Sequence, residues 1–206
     1  MKELTIAVLI SGAGRTLQNL IDRIKDGTLP ARIAMVVSSK EKVQGLKRAE
    51  AAGIPTVTVP RRLYIDARSF TRVVLSHLRP LKPDLVVMAG LIHRAVFPRE
   101  YDNRVMNIHP ALLPAFGGKG YYGIKVHEAV IKSGTKFTGC TVHFVDSLYD
   151  HGPIILQRTV RVRHDDTPES LAERVFEQEC IALPEAIRLF AAGKLKVTGQ
   201  RVLVLK

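Results

Sequence analysis

Only two cysteines occur in the 206 residues, Cys140 and Cys180, and their spacing matches no metal-ligand pattern. Both sit among apolar residues, so they read as reduced core thiols and not as a disulfide or a zinc site. The sequence has no run of about 18 apolar residues, the length that a membrane-crossing helix needs. Met1-Lys2-Glu3-Leu4 leads straight into a strand-like segment where a secretory signal would carry an apolar core, so the expectation is a soluble, cytoplasmic protein. Acidic residues are scarce beside basic ones: 19 Asp and Glu against 31 Lys and Arg give a formal charge of +12. That balance favours anionic partners. Yet the basic residues are spread along the chain, pairing only locally as at Arg61-Arg62, and basic heptads, zinc-finger spacing and an aromatic RNA-binding signature are all missing. An anionic metabolite fits this pattern better than a nucleic acid. Internal repeats and low-complexity linkers are absent too, and the length and 46% hydrophobic content suit one α/β domain over residues 1–206.

What is present is an alternation of strand and helix patterns. Leu4 to Ser11 reads as a buried strand that turns through Gly12-Ala13-Gly14 into a helix with Leu17, Leu20, Ile21 and Ile24 on one face and Gly27 as its stop. A strand at 31–39, a helix through 43–52, a strand at 56–59, a helix over 66–77 and an apolar strand at 84–89 follow. Such alternation predicts a doubly wound, mostly parallel Rossmann-like sheet with its site at the carboxyl ends of the strands. Beyond the strand at 104–109 come a glycine- and tyrosine-rich loop at 117–123, a helix near 125–132 and strand-like runs at 138–145 and 154–163, which predict a mixed C-terminal extension of the sheet. Thr167-Pro168-Glu169 opens a helix running to Gly193, with Thr167 as cap and Pro184 expected to bend or split it. Leu195 to Leu205 predicts a terminal hairpin turning near Thr198-Gly199-Gln200.

Three places can carry chemistry. Gly12-Ala13-Gly14-Arg15-Thr16 lies where glycines let a backbone approach a phosphate at a helix N-terminus. It lacks the third glycine of a dinucleotide fingerprint, since Leu17 stands there, and it has no Lys-Ser/Thr pair of a P-loop. A monophosphate site and a plain tight turn both fit. Among seven histidines, His109 stands out: it ends an apolar strand at the expected edge, follows Asn107 by two positions and precedes a proline that stops strand pairing. An amide donor and an imidazole held cationic by a carboxylate can together stabilise the oxyanion formed when an amine attacks a carbonyl. Asp146 and Asp150 both qualify as that carboxylate, and spacing does not choose between them.

Ile10-Ser11-Gly12 with Gly14, Pro83 through Gly90, Asn107-Ile108-His109-Pro110-Ala111-Leu112-Leu113-Pro114 and Asp150-His151-Gly152-Pro153-Ile154-Ile155 together resemble the phosphoribosylglycinamide formyltransferase family, folate-dependent enzymes of purine synthesis. The match covers nearly the whole chain, and Asn-x-His-Pro-x-Leu-Leu-Pro with a later Asp-x-Gly-Pro is specific to formyltransferases that use 10-formyltetrahydrofolate. The resemblance implies Asn107, His109 and Asp150 as the catalytic trio, which favours Asp150 over Asp146. It implies a substrate phosphate on Gly14, Arg15 and Thr16, where the commoner loop reads Gly-Ser-Asn, and Glu179 at the glycinamide end. A folate site is implied at Arg68, at Ile92, His93, Arg94 and Ala95 in place of the commoner Met-Arg-Ile-Leu, and at Asn107, Asp146 and Tyr149 within or beside 145–149. The loop at 117–123 is longer than in compact versions of the family, and the Leu113–Pro114 bond is expected to be cis. The implied partners are glycinamide ribonucleotide and 10-formyltetrahydrofolate as co-substrate, with no metal, nucleic acid or membrane; monomer and homodimer both stay open. A formyltetrahydrofolate hydrolase, a methionyl-tRNA formyltransferase and a non-catalytic folate- or nucleotide-binding module are the alternatives. The first is expected to add an N-terminal regulatory domain, the second a C-terminal RNA-binding domain, and the third leaves the trio unexplained.

Overall fold

A computed structural model of the chain describes residues 3–205, so the reading of Met1 and Lys2 lies outside the described residues. The chain divides into two compact units, 1–106 and 107–206. In the first, β1 (Leu4–Ile10), β2 (Ala31–Ser38), β3 (Thr56–Thr58) and β4 (Leu85–Met88) stand in the order β3-β2-β1-β4, each pairing parallel with its neighbour. Parallel strands need a crossover between them, and the helices supply it. These are α1 (Arg15–Lys25), α2 (Gln44–Ala51) and α3 (Ala67–Leu78). The order is that of half a doubly wound fold, which the strand–helix alternation predicts. Ile6, Val8, Ile10, Val36, Val86 and Val87 are almost wholly buried, as a sheet covered on both faces requires. α3 starts where Asp66 accepts from the Ser69 N–H at 2.7 Å while its own N–H reaches Ser69 Oγ, a capping box.

The passage from one unit to the next falls inside β5 (Val105–His109). The second unit continues with α4 (Ile124–Ser133), β6 (Phe137–Phe144), β7 (Ile154–Arg161), α5 (Pro168–Ala191), β8 (Leu195–Thr198) and β9 (Arg201–Val204), and its strands stand in the order β5-β6-β7-β9-β8. β6 and β7 pair antiparallel, as do β8 and β9, so the mixed extension and the terminal hairpin are both present. Thr167 caps α5 through the Ser170 N–H, and Pro168 sits in its first turn, where a missing N–H costs nothing.

Of the two outcomes expected at Pro184, a bend or a split, the split does not occur. Pro184 lies inside α5, which runs unbroken for 24 residues. The proline removes one internal hydrogen bond, but Ala182, Leu183, Ala186 and Ile187 around it are wholly buried where α5 packs on β6, β7 and α4. Burial of that face outweighs the local loss.

Burial in this unit also sets an acid limit on stability. His127 on α4 is buried, its Nδ1 has no hydrogen-bond partner, and desolvation, followed by the charge of His109, lowers its pKa to about 4. Its folded value is therefore below the unfolded one near 6.5. The associated stability is complete above about pH 6.5 and is lost as pH falls toward about 4, by up to roughly 1.4 kcal/mol per pH unit. Buried His143 is shifted the same way. His127→Leu should flatten the fall of urea midpoints over this window without abolishing it; an unchanged slope would exclude His127 as a source.

Candidate active site

β5 places Asn107 and His109 two residues apart, and therefore on one face of the strand, with Ile108 on the other. Both are buried. Asp150 comes to them from the connection between β6 and β7, where its backbone takes the left-handed φ of 49° that aspartate tolerates better than most residues. His109 Nδ1 lies 3.6 Å from Asp150 Oδ2, and the side chains are 4% and 12% exposed. Asn107 Nδ2 donates to Asp150 Oδ1 at 3.4 Å. The trio is thus assembled within one unit.

The ring nitrogens of His109 have different duties. Nε2 donates to the Phe116 carbonyl at 2.8 Å, and a carbonyl only accepts, so this nitrogen carries a proton. Protonation of Nδ1 then gives the imidazolium beside the Asp150 carboxylate. A separation of 3.6 Å is an ion-pair distance and too long for a hydrogen bond, so the Nδ1 proton stays available to an oxygen placed alongside. Asp150 Oδ2 is held independently by the Gly118 N–H at 3.0 Å.

A fourth group belongs to the cluster and escapes the sequence reading. His143 on β6 donates from Nδ1 to the Phe144 carbonyl at 2.8 Å, which leaves the Nε2 lone pair to accept from Asn107 Nδ2 at 3.1 Å. Burial lowers its pKa and keeps it neutral, against the opposing pull of Asp150, 3.9 Å away. A neutral acceptor fixes which way the Asn107 amide faces. Thr141, two residues earlier on the same face of β6, donates to the Ala111 carbonyl at 2.7 Å and accepts from the Leu113 N–H at 3.0 Å. Gln157 on β7 adds bonds to Thr141 Oγ1 and the Leu113 carbonyl. These contacts hold the segment after His109, in which the Leu113–Pro114 peptide is cis, as expected. The available signal was a pair of polar residues at period two inside an apolar strand.

Asp146 does other work. Its Oδ1 accepts from the Leu148 N–H at 2.8 Å and its Oδ2 meets His151 Nδ1 at 2.6 Å, so it braces the loop that carries exposed Tyr149. The carboxylate beside His109 is Asp150. Glu179 is buried on α5 and raises the pKa of Cys140, which burial, the larger cause, pushes to about 12. Cys140 is accordingly an inert thiol, and neither cysteine is in a disulfide. Among the described residues, no group of three or more His, Cys, Asp or Glu could hold a metal ion.

In the first unit, Gly14 caps α1 with φ 69°, and no side chain caps that helix. A Cβ on Gly14 would lie 2.6 Å from the Gly45 Cα, so close approach of loop and α2 requires this glycine whatever the loop binds. Arg15 is exposed and Thr16 buried. Ser11 Oγ, paired with Ser39 Oγ at 2.7 Å, accepts from the Ile92 N–H at 3.1 Å and so ties the segment Ile92–Ala95 to the carboxyl end of β1. His93 there is half-buried, its pKa lowered by burial and then by Lys40 and Arg61. Arg68 is exposed on α3.

A histidine and an asparagine at the end of β5 meet an aspartate from the β6–β7 connection, and the formyl transferase family model matches residues 4–187: the chain belongs to that family. Within it, the chain is similar to enzymes acting on glycinamide ribonucleotide. It is 39% identical over 197 residues to the chloroplastic phosphoribosylglycinamide formyltransferase of Arabidopsis thaliana, covering 93% of this chain and 66% of that protein. It superposes on glycinamide ribonucleotide transformylase 1 from Symbiobacterium toebii with a TM-score of 0.91 at 39% identity, covering 99% of this chain and 95% of the other. The trifunctional purine biosynthetic protein adenosine-3 of Bos taurus is 40% identical over 95% of this chain, which spans only 19% of that longer protein.

Proposed function

We infer that the chain transfers the formyl group of 10-formyltetrahydrofolate to the amine of glycinamide ribonucleotide, a step of purine synthesis, with residues 1–206 serving as one formyltransferase domain. The observation that carries this reading is the buried Asn107–His109–Asp150 cluster, which offers donors and a paired cation but no nucleophile. The attacking atom must then come from a substrate. Its amine nitrogen bonds to the formyl carbon, and the carbonyl oxygen becomes an oxyanion. Asn107 Nδ2 turns its weaker bond, the 3.4 Å contact with Asp150, toward that oxygen, while His143 keeps the amide in place. Protonated His109 supplies the Nδ1 hydrogen, and Asp150 balances the imidazolium charge. The intermediate collapses as the bond to N10 breaks, and the proton lost by the attacking nitrogen ends on N10. No metal takes part in this scheme.

The same reading assigns the substrate phosphate to Gly14, Arg15 and Thr16, the glycinamide end to Glu179, and the folate to Arg68, Ile92, His93, Arg94, Ala95, Asn107, Asp146 and Tyr149. It locates the enzyme in the cytoplasm; among the described residues, no helix is long and apolar enough to cross a membrane. The deciding experiment incubates the purified protein with 10-formyltetrahydrofolate, with and without glycinamide ribonucleotide. Formylglycinamide ribonucleotide and tetrahydrofolate should form in equal amounts only when both substrates are present. Formate release without the amine would make water the acceptor and overturn the reading.

A further inference from the structure

His151 fills the unspecified place in the Asp-x-Gly-Pro motif, so the family resemblance gives it no task, yet its side chain is firmly tied. Its Nδ1 lies 2.6 Å from Asp146 Oδ2, and because a carboxylate only accepts, Nδ1 carries the proton of this bond. Asp146 Oδ1 takes the Leu148 N–H at 2.8 Å at the same time. The two bonds close a ring over residues 146–151. Asp150 is the last residue inside it, and the peptide that leaves Asp150 leads directly to the clasped histidine.

Asp150 needs such a closure. Its φ of 49° is left-handed, and a residue other than glycine keeps that backbone only where its surroundings hold it there. Beyond the site, Gly152 is wedged against the Phe144 carbonyl and the Asp146 nitrogen, which fixes the chain from 152 onward. The His151–Asp146 bond takes hold one residue nearer. On the other side, the Asp150 carboxylate is held by the Gly118 N–H at 3.0 Å and by Asn107 at 3.4 Å. In the reaction Asn107 turns toward the oxyanion, so the carboxylate loses one of these bonds when its position matters most. The backbone must then keep it in place. We propose that His151 is a positioning residue for formyl transfer: by clasping Asp146 it keeps Asp150 in its left-handed backbone, with the carboxylate 3.6 Å from His109 Nδ1. This rests on the formyl-transfer reading and adds a residue that acts on the reaction only through Asp150.

The test compares His151→Leu and His151→Asn with the parent protein in steady-state kinetics on 10-formyltetrahydrofolate and glycinamide ribonucleotide. Leucine keeps the bulk and loses the donor, whereas the asparagine amide stands close to the place of Nδ1 and can still donate to Asp146. His151→Leu should lower kcat by about fivefold, the size that one partly exposed, charge-assisted bond supplies, with both KM values within about twofold of the parent's. His151→Asn should restore most of the lost kcat. The side chain is 51% exposed, so both variants should melt with the parent protein. Asp146→Asn keeps the clasp with the donor reversed, its amide facing an unprotonated Nδ1, in line with a mild effect. Parental kcat in His151→Leu, equal kcat in the Leu and Asn variants, or a loss explained by a lower folded fraction would overturn the positioning role while leaving formyl transfer intact. Absence of turnover in the parent protein would instead overturn the formyl-transfer reading, and the role of His151 with it.

Discussion

Asp150→Asn should lower kcat by about two to three powers of ten, the range that follows loss of one oxyanion-stabilising group, while leaving the unfolding midpoint and substrate affinity close to those of the parent protein. Asparagine has nearly the same shape, and its carbonyl oxygen can still take the Gly118 N–H now held at 3.0 Å. The loop should therefore keep its course. What is lost is charge. The imidazolium of His109, 3.6 Å from the carboxylate, would face a neutral amide, and if the amide nitrogen turns toward Asn107 two donors meet. Each 1.4 kcal/mol of lost transition-state stabilisation costs about tenfold in rate. Asp146→Asn is the control: Asp146 braces His151 and the Leu148 N–H away from His109, so its effect should be much milder. Steady-state kinetics on the two variants decide the matter. Collapse in the Asp146 variant with normal turnover in the Asp150 variant would reverse the assignment, and normal turnover in both would remove the carboxylate from the mechanism.

A change two residues further on should be as damaging for a different reason. A Cβ on Gly152 would stand 2.0 Å from the Phe144 carbonyl oxygen, 2.9 Å from its carbon and 3.2 Å from the Asp146 nitrogen. All three neighbours are backbone, so no flexible side chain can yield. The Phe144 N–H also bonds to the Pro153 carbonyl at 2.9 Å in the same pinch. Gly152→Ala must therefore prise β6 from the start of β7 and carry Asp150 with it. The expected cost is about 3 kcal/mol, at the upper end for overpacking, or roughly a 10 °C fall in Tm for a chain of this length. Turnover of the remaining folded protein should fall too. Gly134→Ala provides the contrast: at φ 72° with nothing near its Cβ, it should cost only the strain of a left-handed alanine, about 1 kcal/mol. Equal melting temperatures for Gly152→Ala and the parent protein would refute the steric argument.

The strand–helix alternation was legible because it is local: apolar residues at period 3.6 or 2 report an element without knowledge of its neighbours. Helix starts were legible for the same reason, since Asp66 and Thr167 cap through residues three positions on. The unbroken course of α5 through Pro184 was not, because the burial that preserves it comes from β6 and β7. The site divides along the same line. Asn107 and His109 declare themselves by spacing on one strand. The choice between Asp146 and Asp150 needed a family resemblance, since two carboxylates four residues apart in a turn look alike until the chain is folded. His143 resembles an ordinary core histidine; its bond to Asn107 joins positions 36 apart in sequence. Gly45 gave no signal, because its value lies in the approach of Gly14 from another element.

The segment after the cis proline meets His109 and Asp150 through main-chain atoms in the contacts described above: the Phe116 carbonyl on His109 and the Gly118 amide on Asp150. No side-chain substitution deletes a carbonyl, and only proline deletes an amide. Gly117 between them is the exception, since a Cβ there would press on Leu113 at 2.5 Å. Past Gly118, exposed Tyr121 packs edge-on against Phe116 with ring centroids 6.5 Å apart, and so bears on the residue that holds His109, whereas exposed Tyr122 lies against Lys125. A protein engineer seeking a place for a reporter group near His109 and Asp150 would therefore begin at Tyr122 and leave Tyr121 in place.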